Sequence, residues 1–282
     1  MTVTVLSENT TSSEKFKSEH GLSLFIETES HKILFDTGAS GLFAENAEKM
    51  GIDLSSVDIA IISHGHYDHG GGLKTFLNIN NKAKIYIHKQ AFEPHYSTRE
   101  GGTKAYIGLD KSLLPNERFV FCGDRFVIDD KLELFSDVEP ERFVPTGNKD
   151  LFVKDGDNFV QDNFAHEQNL IINENGKTLL IAGCAHKGII NIVDKFKVIK
   201  GYTPDYVIGG FHLYSRGTGQ NEDPDIVDEI GKILLETRSR YYTCHCTGIE
   251  SYNRLKTVMG DKIDYISTGK KLKIFENSEE KK

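Results

Sequence analysis

The chain of 282 residues is long enough for one large domain or two small ones, and 38% hydrophobic with 27% charged residues describes a globular protein. A net charge of −8 argues against a non-specific nucleic-acid binder, and no apolar run approaches the roughly 18–20 residues that span a bilayer. The first residues, Met-Thr-Val-Thr-Val-Leu-Ser-Glu, lack the basic segment and apolar core of an export signal, so a cytoplasmic compartment is expected, with Cys122, Cys184, Cys244 and Cys246 as free thiols.

Strands are expected at 2–6, 22–27 and 32–36, the last two joined by a polar turn. A helix over 40–50 follows, with Leu42, Phe43, Ala47 and Met50 on one side and Gly51 as its stop. Residues 57–62 read as a buried strand that runs into a glycine-rich segment. A helix begins at Leu73, and 83–88 is another strand. Residues 89–165 hold short strands at 118–122, 131–135 and 142–144 within a loop-rich insertion near the site mouth, or else form a mobile surface loop. Alternation then resumes: strands at 168–173 and 178–182, a helix at 189–199 and a strand at 206–208. A helix over 225–237 places Ile226, Ile230, Ile233 and Leu234 on one face. A strand at 241–244, a helix at 249–258 and a strand at 263–267 complete the pattern, and the charged tail 276–282 is expected to fray. Two strand-then-helix halves around one core, in a single domain over 1–282, fit this order.

The densest chemistry lies in Ser63-His64-Gly65-His66-Tyr67-Asp68-His69-Gly70-Gly71-Gly72. Three imidazoles and a carboxylate fall within six positions, a donor set that suits zinc, manganese or iron. The glycines let the backbone turn tightly enough for the four side chains to converge. A strand that ends in such a loop is where α/β sheets place their chemistry.

Together with the upstream Phe35-Asp36-Thr37-Gly38, this motif resembles the metallo-β-lactamase-fold superfamily over nearly the whole chain. Glu19-His20-Gly21-Leu22-Ser23, Gly183-Cys184-Ala185-His186, Gly209-Gly210-Phe211-His212-Leu213 and Cys244-His245-Cys246-Thr247-Gly248 look like one subgroup of it. That subgroup is named for an archaeal 7,8-dihydropterin-6-methyl-4-(β-D-ribofuranosyl)aminobenzene 5′-phosphate synthase. The resemblance implies an α/β fold, a four-layer αββα sandwich, with two divalent transition-metal ions at one edge; zinc is the first choice, manganese or iron the alternatives. It implies His64, His66 and His186 on one metal and Asp68, His69 and His245 on the other, with Asp36 fixing ligand geometry from behind. Where the superfamily usually has a metal-bridging Asp, this chain has Gly183-Cys184, so Cys184 is either a thiolate ligand or a small buried residue. His166 and Glu167 are further ligand candidates.

Two such metals would lower the pKa of a bridging water, so the expected reaction is hydrolysis of an ester, thioester, lactone, amide or phosphodiester in a small anionic molecule. Asp68, placed on an exposed loop, would orient the hydroxide and accept a proton. His66 stands where the oxygen-reducing branch has Glu, which favours the hydrolytic branch. His212 falls, in chain order, where phosphodiesterase members carry a leaving-group histidine. Arg99, Lys104, Tyr106, Tyr214 and Arg216 are candidates for an anion pocket. The alternatives are a dihydropterin-condensing synthase that displaces pyrophosphate, and a non-catalytic metal-binding sensor or redox protein.

Overall fold

The computed structural model describes residues 1–11 and 13–275, so the tail 276–282 lies outside the described residues. Two seven-stranded sheets organise the chain. The first runs Lys271–Lys273, Thr2–Ser7, Ser23–Glu27, Lys32–Phe35, Ile59–Ile62, Lys84–His88, Phe119–Cys122 across its width. The second runs Ile263–Tyr265, Arg240–Thr243, Tyr206–Gly209, Lys177–Ile181, Asn169–Glu174, Leu132–Phe135, Arg125–Val127.

Strand periodicity explains the layers. In Ile59–Ile62 the side chains of Ile59 and Ile61 enter the core between the sheets, beside Leu170, Ile172, Leu179 and Ile181. Ala60 and Ile62 point the other way and meet Phe43, Leu73 and Phe76 of the outer helices. On the second sheet, Leu180, Ala182, Val207 and Tyr241 pack outward on Ile189, Phe196, Ile230, Leu234 and Leu255. Strands buried on both faces read as continuous apolar runs, as they do here. Each fully buried Ile or Leu contributes up to about 1.5–3 kcal/mol. The result is the four-layer αββα sandwich.

The outer helix Pro224–Glu236 shows how local sequence sets these elements. Asp223 caps it, accepting from the Asp225 N–H at 2.8 Å, and Pro224 fills the first turn, where no amide donor is needed. Val227, Ile230 and Leu234 are buried, while Ile226 and Ile233 flank them half-buried.

Residues 142–144 are not a strand. Phe143 turns the backbone at φ 50°, and the Asn191 side chain accepts from the Arg142 N–H at 3.3 Å and donates to its carbonyl at 2.8 Å. A helix side chain thus takes the place of a neighbouring strand. Residues 89–165 serve three sheets. Phe119–Cys122 edges the first, and Arg125–Val127 and Leu132–Phe135 edge the second. His95–Thr98, Lys104–Tyr106, Leu151–Asp155 and Asn158–Gln161 form a separate antiparallel four-stranded sheet.

Strands Lys32–Phe35 and Ile59–Ile62 are parallel, as are Lys177–Ile181, Tyr206–Gly209 and Arg240–Thr243. Each delivers a chemistry-bearing residue beyond its C-terminal end: Asp36, His64, Cys184 and His186, His212, and His245. Among the described residues no helix is long and apolar enough to cross a membrane.

Candidate metal centre

Four non-glycine residues at these strand ends have positive φ: Asp36 at 58°, Ala185 at 58°, His212 at 49° and His245 at 53°. Such conformations cost of order 1–3 kcal/mol each and persist where surrounding contacts over-determine them. Here they bring Asp36, His212 and His245, and the Cys184 and His186 that flank Ala185, from separate strands to one region.

One ring nitrogen from each of His64, His66 and His186 lies within 4.8 Å of the other two. Nε2 of all three is buried and has no hydrogen-bond partner. A second group adjoins it. His245 Nε2 is 3.3 Å from Asp68 Oδ2 and 3.2 Å from His69 Nε2, and the Asp68 and His69 atoms are 3.8 Å apart. Donors held at about 2.0–2.1 Å in a tetrahedral zinc site are separated by roughly 3.3–3.4 Å, so these spacings suit a shared cation. Asp68 is not exposed: it sits in the short helix Tyr67–Gly70 at 8% exposure, because His20 and His245 close over its carboxylate.

The hydrogen-bond network assigns the tautomers. Asp36 accepts from the Ser63 N–H and Ser63 hydroxyl, both at 2.7 Å, and from His69 Nδ1 at 2.6 Å. Since the Ser63 hydroxyl donates to Asp36, its oxygen accepts from His64 Nδ1 at 2.8 Å. The Asn148 amide donates to the His186 carbonyl at 2.8 Å, which turns its oxygen toward His186 Nδ1 at 3.0 Å. Asn9 Oδ1 accepts from His245 Nδ1 at 2.8 Å. Four imidazoles are therefore anchored from behind through Nδ1–H and turn Nε2 forward, as a lone pair on His64, His186 and His245 and, once its second proton leaves, on His69. Metal-ligating histidines are oriented in this way, and the donor set fits divalent transition metals.

His166 is wired oppositely. Its Nδ1 accepts from the Gly65 N–H at 2.9 Å, so Nε2–H donates to Asp162 at 3.2 Å and no lone pair is left over. Glu167 turns away to accept from the backbone N–H of His186 and Lys187, at 2.6 and 3.0 Å. Both brace the loops that carry His66 and His186.

Charge follows the same division. Burial, with the neighbouring imidazoles, pushes His64, His66 and His186 well below the ordinary histidine range, so all three are neutral at pH 7. Burial pushes Asp68 up, but the His69 charge and the hydrogen bond from His20 outweigh it and hold the carboxyl well below its usual value. Burial likewise opposes charge on His69, yet Asp36 and Asp68 prevail and raise it to about 9.

His212 lies tilted against His186, ring centroids 4.2 Å apart, with both its ring nitrogens unpartnered. It lines a cleft that also exposes His20, Arg99, Tyr214 and Arg216. Lys104 and Tyr106 are spent elsewhere: Lys104 lies over the Phe152 ring and donates to Thr98, and Tyr106 donates to the Leu109 carbonyl. Sequence reasoning gave His20 no role. Its motif was visible, but only the fold shows Asn9 donating to His20 Nδ1 at 3.3 Å and His20 Nε2 at 3.2 Å from Asp68. Asn9 and Asn148 carried no signal, since a lone Asn in a loop is commonplace.

The chain is similar to several known proteins. A family model described as the Metallo-beta-lactamase superfamily matches residues 19–157. The chain is 31% identical to the uncharacterized protein MJ0448 of Methanocaldococcus jannaschii, covering 90% of this chain and 93% of that one. It is 31% identical to the 7,8-dihydropterin-6-methyl-4-(beta-D-ribofuranosyl)-aminobenzene-5′-phosphate synthase of the same organism, covering 92% and 91%. The crystal structure of Tm1679, described as a metal-dependent hydrolase of the beta-lactamase superfamily, superposes with a TM-score of 0.82 at 32% identity over 98% of this chain and 100% of that one.

Proposed function

The chain belongs to the metallo-β-lactamase superfamily, and on that premise we propose that it is a dinuclear metal-dependent hydrolase of a small anionic ester, thioester, lactone or phosphodiester. The observation that carries this reading is the set of four imidazoles anchored through Nδ1: His64 and His186, whose Nε2 is unpartnered like that of His66, and His69 and His245, whose Nε2 atoms converge on each other beside Asp68. His64, His66 and His186 would hold one ion; Asp68, His69 and His245 the other. When bound, the pair would supply a nucleophile from water at neutral pH and polarise the carbonyl or phosphoryl oxygen; zinc is the first choice, manganese or iron the alternatives.

The protein's own groups do the rest. Asp68, held ionised, accepts a proton from the attacking water, while His20 Nε2–H steadies the carboxylate. His212, with no internal partner, donates to the leaving group. Arg99 and Arg216 line the cleft with no carboxylate partner among the described residues, and Arg216 reaches the Tyr67 hydroxyl at 3.3 Å. Unspent guanidinium groups beside the centre favour an anionic substrate.

The test is elemental analysis with a panel of chromogenic phosphodiester, thioester and lactone substrates. About two metals per chain, and turnover that chelation abolishes and metal restores, are expected. One metal or fewer per chain, or no turnover of any class, refutes the reading. The identity to a synthase supports a second reading, a condensation displacing pyrophosphate from a dihydropterin pyrophosphate; pyrophosphate release in the same panel tests it.

A further inference from the structure

We propose that Cys184 is a thiolate ligand of this centre, bridging the His64/His66/His186 position and the Asp68/His69/His245 position. The inference rests on the dinuclear reading and adds a sulfur donor to it.

The four cysteines divide into two kinds. Cys122 and Cys244 pack within the apolar core between the sheets. Cys184 is as buried, at 3% exposure, yet belongs to none of the apolar clusters. Its neighbours are donor atoms. Sγ lies 3.1 Å from His69 Nε2. The same sulfur groups within 4.8 Å with His64 and His69, with His186 and His212, and with His245 and Cys246. It is thus close to ligand nitrogens of both proposed positions. Two of those neighbours, His64 and His186, have a buried Nε2 with no hydrogen-bond partner.

The backbone is shaped to bring the sulfur there. A Cβ on Gly183 would stand 2.2 Å from Ser63 Oγ, so only glycine lets this segment press against the ligand loop, and Ala185 then turns at φ 58°. Cys246 is differently employed: its sulfur accepts from the His212 N–H at 3.3 Å and donates to the Cys184 carbonyl at 3.5 Å.

Charge balance points the same way. The five histidines are neutral as ligands, so Asp68 is the one anionic side chain among the six, with the Asp36 carboxylate one hydrogen bond behind His69. Ionised groups out of water need compensating charge. On ligation the Cys184 S–H bond breaks, its proton leaves to water and the sulfur lone pairs bind the cations; no electron is transferred and a second anion is supplied. A mixed thiolate and imidazole set suits zinc or iron.

The test uses the full chain loaded with Co²⁺ or Zn²⁺, with Cys184→Ser, Cys184→Asp and Cys246→Ser variants. Wild-type cobalt protein should show an intense near-ultraviolet sulfur-to-cobalt charge-transfer band, and X-ray absorption of the zinc protein a sulfur at about 2.3 Å. Both signals should vanish in Cys184→Ser and Cys184→Asp and persist in Cys246→Ser, with about two metals retained in Cys184→Asp. If Cys184→Ser does not fold, the wild-type spectra and Cys184→Asp decide. Two metals bound with no sulfur signal overturns the bridge and leaves the dinuclear reading standing. Loss of the signal in Cys246→Ser but not in the Cys184 variants assigns the sulfur to Cys246 and overturns the proposal. Fewer than two metals in the wild type removes the dinuclear reading, and the bridge with it.

Discussion

Asp36→Asn separates a tautomer-setting role from a merely polar one. The carboxylate accepts three hydrogen bonds, two at one oxygen: from the Ser63 hydroxyl at 2.7 Å and His69 Nδ1 at 2.6 Å. In the amide that position becomes NH₂, a donor facing two donors. Relief requires His69 to move its proton to Nε2, the atom needed forward. Losing such an orienting partner costs about 10–100-fold in metal affinity, or roughly 1.4–2.8 kcal/mol. The pH must be chosen with care. In metal-free protein the His69–Asp36 pair stabilises the fold fully below about 6.5, and its contribution is lost as pH rises through about 9. Metal competes with that proton, so wild-type affinity should climb with pH and level off near 9. Removing the Asp36 charge weakens the competition and would mask the tautomer penalty at pH 7. Chelator-competition titrations near pH 9, with circular dichroism as the fold control, read the penalty directly. Affinity within twofold of wild type there would refute the reasoning.

Asp68→Asn should lower kcat by at least about 10²-fold while the circular dichroism spectrum stays unchanged, since the amide fills the same space but accepts no proton; near-wild-type turnover would contradict its role. His212→Ala should keep full metal content and lose about 10²–10⁴ in kcat, less on nitrophenolate esters, whose leaving group needs little help. A parallel fall in metal content would make His212 a ligand instead. Gly183→Ala places a methyl 2.2 Å from Ser63 Oγ and should cost about 1–3 kcal/mol in thermal unfolding, together with weaker metal binding through His64; an unshifted melting temperature would show that this contact yields.

The layers were legible because the central strands of both sheets read as short continuous apolar runs, buried on both faces, and the outer helices as one-sided apolar faces, patterns that survive without tertiary information. Residues 142–144 were misread for a physical reason: Arg-Phe-Val has strand composition, but Asn191, some fifty positions later, claims its backbone. The ligand loop was legible as a local motif. The assignment of His20, Asn9 and Asn148 was not, because each acts through a partner distant in sequence: Asp68, His245 and His186.

Asn9 shows why residue type alone underdetermines such a site. Its amide is forked: the oxygen faces His245 Nδ1 at 2.8 Å, and the nitrogen faces His20 Nδ1 at 3.3 Å. One end accepts a proton and the other donates one, so the two histidines are driven into opposite tautomers. His245 is left with a lone pair at Nε2 and His20 with an N–H there, both pointing at Asp68. Two imidazoles in contact with one carboxylate thus acquire different chemistry, ligand and hydrogen-bond donor, from a single uncharged side chain. The sequence marks His245 as a ligand and leaves His20 without a role; the division of labour between them exists only once the first strand delivers Asn9 beside the loop at 245.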